Sequence, residues 1–296
     1  PLRSKRTLSL VGMGDQYYPE SSKPLEFAGP LVGETMFSRL PGLFLASFLM
    51  LGSGCTNLVS GITSQLADDL AGSILNSEDI DTVREGVPAY LLLMDSFLRS
   101  SPDSEDLLLA ASNLNGSFSA LVVDEDRIKL FSNKSMRYVE HAACVSKSPL
   151  CDVRQQSYAE FEQTVSSLKV GDVHIAYSLG VAWVGRIQAN SDDWGVIAEL
   201  SRAKLLMERV IELDENHENG GPHLYMGGME TLLPASMGGK PEKGRAHFEK
   251  AIEINEAYLM TKVIYAQQYA RLMFDQELHD RLLNEVLSAD PVFEGM

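Results

Sequence analysis

Residues 220–242, GGPHLYMGGMETLLPASMGGKPE, decide the fold, because this stretch ends one helix pair and begins the next. Its structural positions are the glycines and prolines Gly220, Gly221, Pro222, Pro234, Gly238, Gly239 and Pro241. Glycine adopts backbone angles that other residues avoid, and proline suits the first turn of a helix, where its missing N–H is not needed. The stretch therefore predicts an apolar segment that stops at Pro234 and a helix that starts at Pro241.

On both sides of this stretch, apolar residues recur at helical spacing. Leu66, Leu70 and Ile74, for example, follow one another at i, i+4 and i+8, which is one face of a helix. Helices are predicted over residues 62–75, 81–99, 107–123, 124–145, 158–168, 172–189, 194–213, 241–254, 258–274 and 277–288. From residue 55 onward, no segment of four or more residues alternates strongly enough to demand a strand. The sequence predicts an all-α fold.

The helices also carry a degenerate repeat pattern. First helices with a small residue and an aromatic residue occur at residues 179–183 (LGVAW) and 266–269 (AQQY), and residues 226–230 (MGGME) match this pattern less well. Second helices carry Met207 with Val210, Phe248 with Ala251, and Leu283 with Val286 followed by Pro291. The steps of 41 and 35 residues between second helices are longer than the repeat of about 34 that is typical of tetratricopeptide (TPR) repeats, as longer loops would make them. This pattern favours an array of TPR-like helical hairpins forming an α-α superhelix, and the alternative is a generic helix bundle.

Composition and charge limit the functions that fit. The chain has 296 residues, of which 45% are hydrophobic, so it fits one large or two small globular units. A weak subdivision is predicted at residues 146–156. The net charge of −16 would repel the phosphates of nucleic acid and of anionic lipids, so nucleic acid is not predicted as a partner. Membrane association therefore requires an anchor.

An anchor is visible near the beginning of the sequence. Residues 40–51, LPGLFLASFLML, form an apolar run that is shorter than the roughly 20 residues of a transmembrane helix. Arg39 precedes the run, and small residues lead from it into Cys55. A basic residue, a short apolar run and a small-residue cleavage zone are the parts of a secretory signal peptide, and the alternative is an ordinary buried helix.

The signal peptide divides the sequence into three parts. Residues 36–54 are the predicted signal, and its LGSGC ending resembles the bacterial lipoprotein signal, in which the cysteine is acylated. Cys55 is therefore the predicted lipidation site, and residues 55–296 are the mature all-helical domain. Residues 1–35 are expected to be an over-long translation start or a disordered extension.

The remaining cysteines and the histidines give no catalytic pattern. Cys144 and Cys151 are expected either to form a disulfide, which an exported protein permits, or to stay free thiols. The six histidines, at positions 141, 174, 217, 223, 247 and 279, lack the spacing of a helical metal site. No nucleophile elbow or nucleotide-binding loop is present in the sequence. We therefore predict no enzyme activity, no cofactor and no metal.

A ligand site is a better hypothesis than an active site. Aromatic and imidazole groups that combine an apolar body with a polar tip are able to line a groove for an apolar molecule or a peptide. The candidates are Tyr177, Trp183, Trp194, His223 and Tyr225. The alternative is that such side chains only fill the interior between helices.

Several segments together resemble a known family. They are residues 83–108 (VREGVPAYLLLMDSFLRSSPDSEDLL), residues 183–194, and above all residues 211–255, with Gly-Gly-x-His at 220–223 and Gly-Gly-x-Pro at 238–241. In these segments the chain resembles the T component of TRAP (tripartite ATP-independent periplasmic) transporters, the TatT-type lipoproteins. The likeness extends over residues 60–290.

The resemblance implies a function that the pattern of residues alone does not give. It implies a membrane-anchored periplasmic lipoprotein, at the outer membrane rather than the inner one, with TPR-like helices. Its implied partners are a periplasmic solute-binding protein of a TRAP system, a hydrophobic or organic-acid solute, and further copies in a homotrimer. The alternative function is that of a TPR-like lipoprotein scaffold, which binds a protein partner in cell-envelope assembly.

Overall fold

A computed structural model describes Ser77 and residues 79–289. The predicted extension, signal peptide, lipidation site at Cys55 and helix over residues 62–75 lie outside the described residues, as does Pro291. Within the described residues, no helix is both long enough and apolar enough to cross a membrane.

The described residues form eleven α-helices and no strand, so the all-α prediction is confirmed for this part of the chain. The helices are α1 (Ile80–Ser100), α2 (Glu105–Leu121), α3 (Glu125–Val145), α4 (Tyr158–Ser167), α5 (Val173–Ala189), α6 (Trp194–Ile197), α7 (Leu200–Leu213), α8 (Gly221–Thr231), α9 (Pro241–Ile254), α10 (Leu259–Tyr265) and α11 (Gln276–Ser288). Short 3₁₀ turns occupy Val153–Gln155, Val170–Asp172, His217–Gly220 and Ala235–Met237.

Local sequence explains where the helices begin. Ser104 and Asp124 are N-caps whose side chains accept hydrogen bonds from the backbone N–H groups of Leu107 and Arg127. Ser157 and Glu160 form a reciprocal capping box at the start of α4. These side chains satisfy N–H groups that have no partner within the helix, and they therefore fix the helix starts in sequence.

Two predicted helices are interrupted. The helix expected over residues 194–213 breaks after Ile197 and resumes at Leu200, and Glu199 at the break forms ion pairs with Arg154 and Arg186. The helix expected over residues 258–274 leaves the α-helical pattern after Tyr265 and makes a π-helical turn at Ala266–Ala270. Both interruptions depend on local geometry that apolar periodicity does not report.

Helices that are next, or next but one, in sequence pack against one another. Helix α1 packs on α2, α2 on α3, α3 on α5, α5 on α7, α7 on α8 and α8 on α9. Helix α11 packs on α10 and its π turn. One cluster of buried residues runs from the end of α1 to α8, and a second joins α8 to α11. Both clusters include residues of α8, which makes it the central element.

The segment proposed as a subdivision contributes to the main cluster. Leu150 and Val153 are both buried there, together with residues of α3 and α5. Cys144 and Cys151 are joined by a disulfide that closes the loop after α3. The cross-link ties the last turn of α3 to the residues just before the following 3₁₀ turn.

Helix α8 is covered on nearly all sides. Ten of its 11 residues are buried, whereas a surface helix exposes one polar face. Close approach of neighbouring helices requires small side chains, and an added Cβ at Gly227 would lie 2.7 Å from the ring of Phe248 on α9. The glycines of residues 220–242 are therefore needed for packing inside the helix as well as for turns at its ends.

We predict that Gly227→Ala lowers the free energy of unfolding by about 1–3 kcal/mol, because the new methyl group overlaps a buried aromatic ring. The control is Gly185→Ala on α5, where an added Cβ meets nothing within 4 Å. That change should raise stability by about 0.5–1 kcal/mol, because alanine is the better helix former. Urea unfolding measures both, and equal effects at the two positions would contradict the packing role of Gly227.

Candidate functional site

A left-handed turn leads into α8. Glu218, Asn219 and Gly220 have φ angles of 47°, 56° and 85° in succession. Residues other than glycine are strained in this region, and asparagine tolerates it better than most. Strain of this kind persists only where the surrounding structure enforces it, and it is concentrated at functional sites. This turn therefore marks the region of the candidate site.

Gly221, the first residue of α8, leaves room for a tyrosine. A methyl group added at Gly221 would collide with the hydroxyl of Tyr177, which projects from α5. At the preceding position, a Cβ on Gly220 would lie 3.1 Å from Ile254 on α9. The Gly-Gly pair thus brings the chain close to two helices at once, and it places Tyr177 at the base of α8.

Four side chains surround this point, and we call them the tyrosine niche: Tyr177, His217, Tyr225 and Tyr258. The Tyr177 ring meets the His217 ring edge to face at 4.9 Å between centroids and the Tyr225 ring at 6.0 Å. Tyr258 stands at the solvent side with 51% of its surface exposed. It contributes, after burial, to the raised pKa of both Tyr177 and Tyr225. The niche therefore has an aromatic interior and an open edge.

The niche presents hydrogen-bond donors. Among the described residues, none accepts a hydrogen bond from the hydroxyl of Tyr177, Tyr225 or Tyr258, whereas Tyr138 donates to Asp95 at 2.6 Å. Burial, and to a smaller extent the electrostatic effect of the neighbouring Tyr258, raises the pKa of Tyr225 to about 12. Burial also raises the pKa of Tyr177. Both phenols therefore stay protonated at neutral pH and are able to donate to an acceptor on a bound molecule.

The charge near these donors is negative. Burial is the main cause of the raised pKa of Tyr177, the neighbouring Tyr225 is the second, and the carboxylate of Glu218 is the third. His217 lies 3.6 Å from a second carboxylate, that of Asp214. A negatively charged ligand would be repelled by both acids, whereas a neutral carbonyl or hydroxyl oxygen would not. The niche therefore suits an apolar molecule with an uncharged acceptor better than an organic acid.

Two histidines meet beside the niche. His223 on α8 and His247 on α9 face each other with their Nδ1 atoms 2.9 Å apart and their ring centroids 5.1 Å apart. This head-on arrangement suits one N–H donating to the lone pair of the other ring, which requires at least one neutral histidine. The other ring nitrogen of His223 is buried and lies 3.6 Å from Glu215. The two rings therefore share a hydrogen bond that joins α8 to α9.

Further polar groups of α8 are paired with its neighbours. The buried carboxylate of Glu230 accepts a hydrogen bond from the Lys204 ammonium group of α7 at 2.7 Å. The backbone carbonyl of Glu230 accepts one from the N–H of Lys240 at 3.0 Å. Thr231 contacts Gln268 of the π turn at 3.2 Å. Because buried polar groups must be paired, these bonds fix how α8 sits between α7, α9 and the π turn.

The other two aromatic candidates lie away from the niche. Trp183 is fully buried, donates its indole N–H to Glu199 at 2.6 Å and packs edge to face on Phe161. Trp194 is 69% exposed at the first position of α6. The structure thus brings Tyr177 and Tyr225 together, whereas His223 pairs with His247 and the two tryptophans are elsewhere.

Three residues of this region were not among the candidates drawn from the sequence. His217 and His247 are not spaced as metal ligands on a helix would be, and Tyr258 lies in the connection before α10. The one available signal for His217 was its position three residues before the Gly-Gly pair. Nothing in the sequence pairs His247 with His223 or Tyr258 with Tyr225.

Two polar hollows lie near the disulfide. One, of about 540 Å³, is lined by Cys151, Asp152, Gln155, Gln156, Glu160, Gln163 and Thr164. The other, of about 230 Å³, is lined by Glu140, His141, Cys144, Asp152, Arg154 and Gln155. Sites for apolar ligands are lined mainly by apolar and aromatic side chains. These hollows therefore lack the apolar lining that an apolar solute would need.

The same loop holds a group of potential metal ligands within the described residues. Atoms of Cys144, Cys151 and Asp152 lie within 4.8 Å of one another. The two sulfur atoms are bonded to each other in the disulfide, and a metal would need them as thiolates. This group is therefore not a metal site in the form described.

The fold and the niche define a helical protein with a cluster of aromatic side chains at the turn that leads into α8. The chain belongs to the TRAP transporter T-component family, whose model matches residues 76–295. This match confirms the family resemblance seen in the sequence and associates the protein with a TRAP transporter system. No curated protein matches the chain.

A double-mutant cycle tests the contact at the base of the niche. We predict that Gly221→Ala lowers the free energy of unfolding by about 2 kcal/mol, because its methyl group collides with the Tyr177 hydroxyl. In a Tyr177→Phe background the cost should fall by about 1 kcal/mol, because the hydroxyl is gone. In a Tyr225→Phe control background the cost should remain as in the wild type. The same cost in all three backgrounds, measured by urea unfolding, would exclude the contact.

The histidine pair predicts a loss of stability in acid. Burial lowers the pKa of His247 to about 4 and also lowers that of His223, from an ordinary value of 6.5. Between pH 6.5 and about 4 the unfolded chain binds more protons than the folded one, so stability present above this window is lost as the pH falls through it. The contribution of His247 is about 2–3 kcal/mol, since one pKa unit corresponds to about 1.4 kcal/mol.

The measurement compares urea unfolding at pH about 7.5 and about 4.5 for the wild type and for His247→Asn. The variant should lose about 2 kcal/mol less between the two pH values than the wild type does. An unchanged difference would show that His247 does not titrate as described.

Proposed function

We propose that this protein is an accessory component that binds an apolar solute in the tyrosine niche and exchanges it with a periplasmic solute-binding protein. The family match supports the transporter context. The observation that carries the choice of site is the edge-to-face cluster of Tyr177, His217 and Tyr225 next to a strained turn, with tyrosine hydroxyls that no described residue accepts from. Burial of apolar surface supplies most of the affinity, and the hydroxyls orient the solute.

The proposal also concerns the chemistry of the solute. The acidic groups at the niche, Glu218 and Asp214, disfavour a carboxylate, and aromatic rings favour an apolar body. We therefore favour a neutral apolar solute with a carbonyl or hydroxyl oxygen over an organic acid.

The helix arrangement supports a TPR-like array as part of this proposal. Helices α5 and α7, α8 and α9, and α10 and α11 form successive packed pairs, and α8 also contacts both α5 and α10. Contact between the first helices of neighbouring pairs is how helical repeats stack. The niche then lies where the α5–α7 pair meets the α8–α9 pair, with Tyr258 from the beginning of the next pair.

Localisation is a further part of the proposal. The signal-like residues 36–54 and Cys55 support a lipid-anchored protein in the periplasm, at the outer membrane. A disulfide between Cys144 and Cys151 is compatible with an oxidising compartment.

Mass spectrometry of the natively purified protein tests the proposal. The wild type should retain a recurring neutral apolar compound. Tyr177→Phe and Tyr225→Phe should each weaken retention about fivefold, because one neutral hydrogen bond contributes about 1 kcal/mol. Tyr158→Phe is the matched control, because this tyrosine is half-exposed on α4 and lies outside the niche.

Three results would contradict the proposal. The first is a wild-type protein that retains no compound. The second is a retained compound that is unaffected in the Tyr177→Phe and Tyr225→Phe variants. The third is a compound that the Tyr158→Phe control loses equally, which would indicate non-specific binding.

A further inference from the structure

Two histidines from different helices point ring nitrogens at each other. His223 on α8 and His247 on α9 have their Nδ1 atoms 2.9 Å apart, and their ring centroids are farther apart, at 5.1 Å. Each Nδ1 therefore lies on the side of its ring that faces the other histidine. Because only one proton fits between the two nitrogens, at least one lone pair lies between the rings. A neutral imidazole nitrogen is the commonest metal ligand in proteins.

The surroundings of His223 determine which of its nitrogens carries the lone pair. His223 is 7% exposed, and its Nε2 has no hydrogen-bond partner among the described residues but lies 3.6 Å from the carboxylate of Glu215. A carboxylate favours a proton on the nitrogen that faces it. The neutral ring then carries its proton on Nε2 and its lone pair on Nδ1, towards His247. Histidines that bind metals usually place their other ring N–H against a carboxylate in this way.

We propose that His223 and His247 bind a divalent transition-metal cation of the zinc and copper class between their Nδ1 atoms. Zinc–nitrogen bonds of about 2.0–2.1 Å place two nitrogens of a tetrahedral ion about 3.3 Å apart, so the pair needs to open by about 0.4 Å. His247 is partly exposed, which leaves room for water at the remaining positions of the ion. His223 keeps its tautomer, and the proton on Nδ1 of His247 moves to Nε2, so binding releases no net proton.

Charges of both signs surround the histidine pair. The carboxylates belong to Glu215 and Glu230, and the ammonium groups belong to Lys243 and Lys250. The chain as a whole carries a net charge of −16, which attracts cations of every kind. Selectivity therefore comes from the two nitrogens, which suit zinc, copper and nickel, whereas magnesium and calcium prefer oxygen ligands.

The two ligands come from different helices. The sequence predicted no metal because no two of its histidines have the spacing of a site on one helix, and His223 and His247 are 24 residues apart. A bound cation joins α8 to α9 at the point where the shared hydrogen bond joins them. Cation binding here does not depend on the proposed solute function, because neither histidine belongs to the tyrosine niche.

Calorimetric titration of the chelator-treated full chain, purified without a histidine tag, tests the proposal. Zinc chloride should bind as a single ion per chain, and magnesium chloride should not bind in this way. His223→Asn and His247→Asn should each abolish zinc binding. Glu215→Gln should weaken it about tenfold, because the carboxylate that orients His223 is removed. The matched control is His279→Asn on α11, where the histidine contacts Asp280, and it should leave zinc binding unchanged.

A spectroscopic measurement on the wild type does not depend on the folding of any variant. In nuclear magnetic resonance of the protein carrying ¹⁵N-labelled histidine, zinc should shift the Nδ1 resonances of His223 and His247 and leave those of His279 in place. Absence of zinc binding, unchanged binding in both histidine variants, or equal binding of magnesium would overturn the proposal. Equal loss in the His279→Asn control, or shifts confined to His141 beside the disulfide, would overturn it in favour of a surface site.

Discussion

The close approach of α8 to its neighbours is the constraint on which the rest of the structure depends. A helix buried on nearly all sides must admit other helices at short distance, and glycine at Gly221 and Gly227 makes this possible against Tyr177 and Phe248. Both core clusters include residues of α8, so its position sets where the two halves of the helical array meet. Its beginning, at the left-handed turn, is also the base of the tyrosine niche.

Burial of α8 brings polar groups into the interior, and their pairing gives the packing its specificity. The shared hydrogen bond of His223 and His247 ties α8 to α9, and the ion pair of Glu230 with Lys204 ties it to α7. Unpaired groups at such depth are costly, so alternative positions of α8 are disfavoured. The same pairing fixes the helix that carries Tyr225, one of the tyrosines of the proposed site. The packing of α8 therefore determines both the arrangement of its neighbours and the position of the proposed binding site.

The sequence predicted much of the fold because its signals are local. The glycines and prolines of residues 220–242 marked the helix ends, and α9 spans Pro241–Ile254 as predicted. Apolar periodicity did not predict the break before Leu200 or the π turn. In the site, Tyr177 and Tyr225 were predicted as amphipathic aromatics, but the same criterion selected Trp183, whose indole N–H is satisfied by Glu199 inside the core. Tyr258 joins the niche through tertiary packing, which no local pattern records.

The central claim is that solute binding occurs at the hydroxyls of the tyrosine niche. The most direct measurement is nuclear magnetic resonance of the protein carrying ¹³C-labelled tyrosine, before and after addition of the compound extracted from the native protein. The account predicts that the resonances of Tyr177, Tyr225 and Tyr258 shift together while that of Tyr158 does not. Shifts confined to residues lining the polar hollows near Cys151, with the niche tyrosines unchanged, would contradict it.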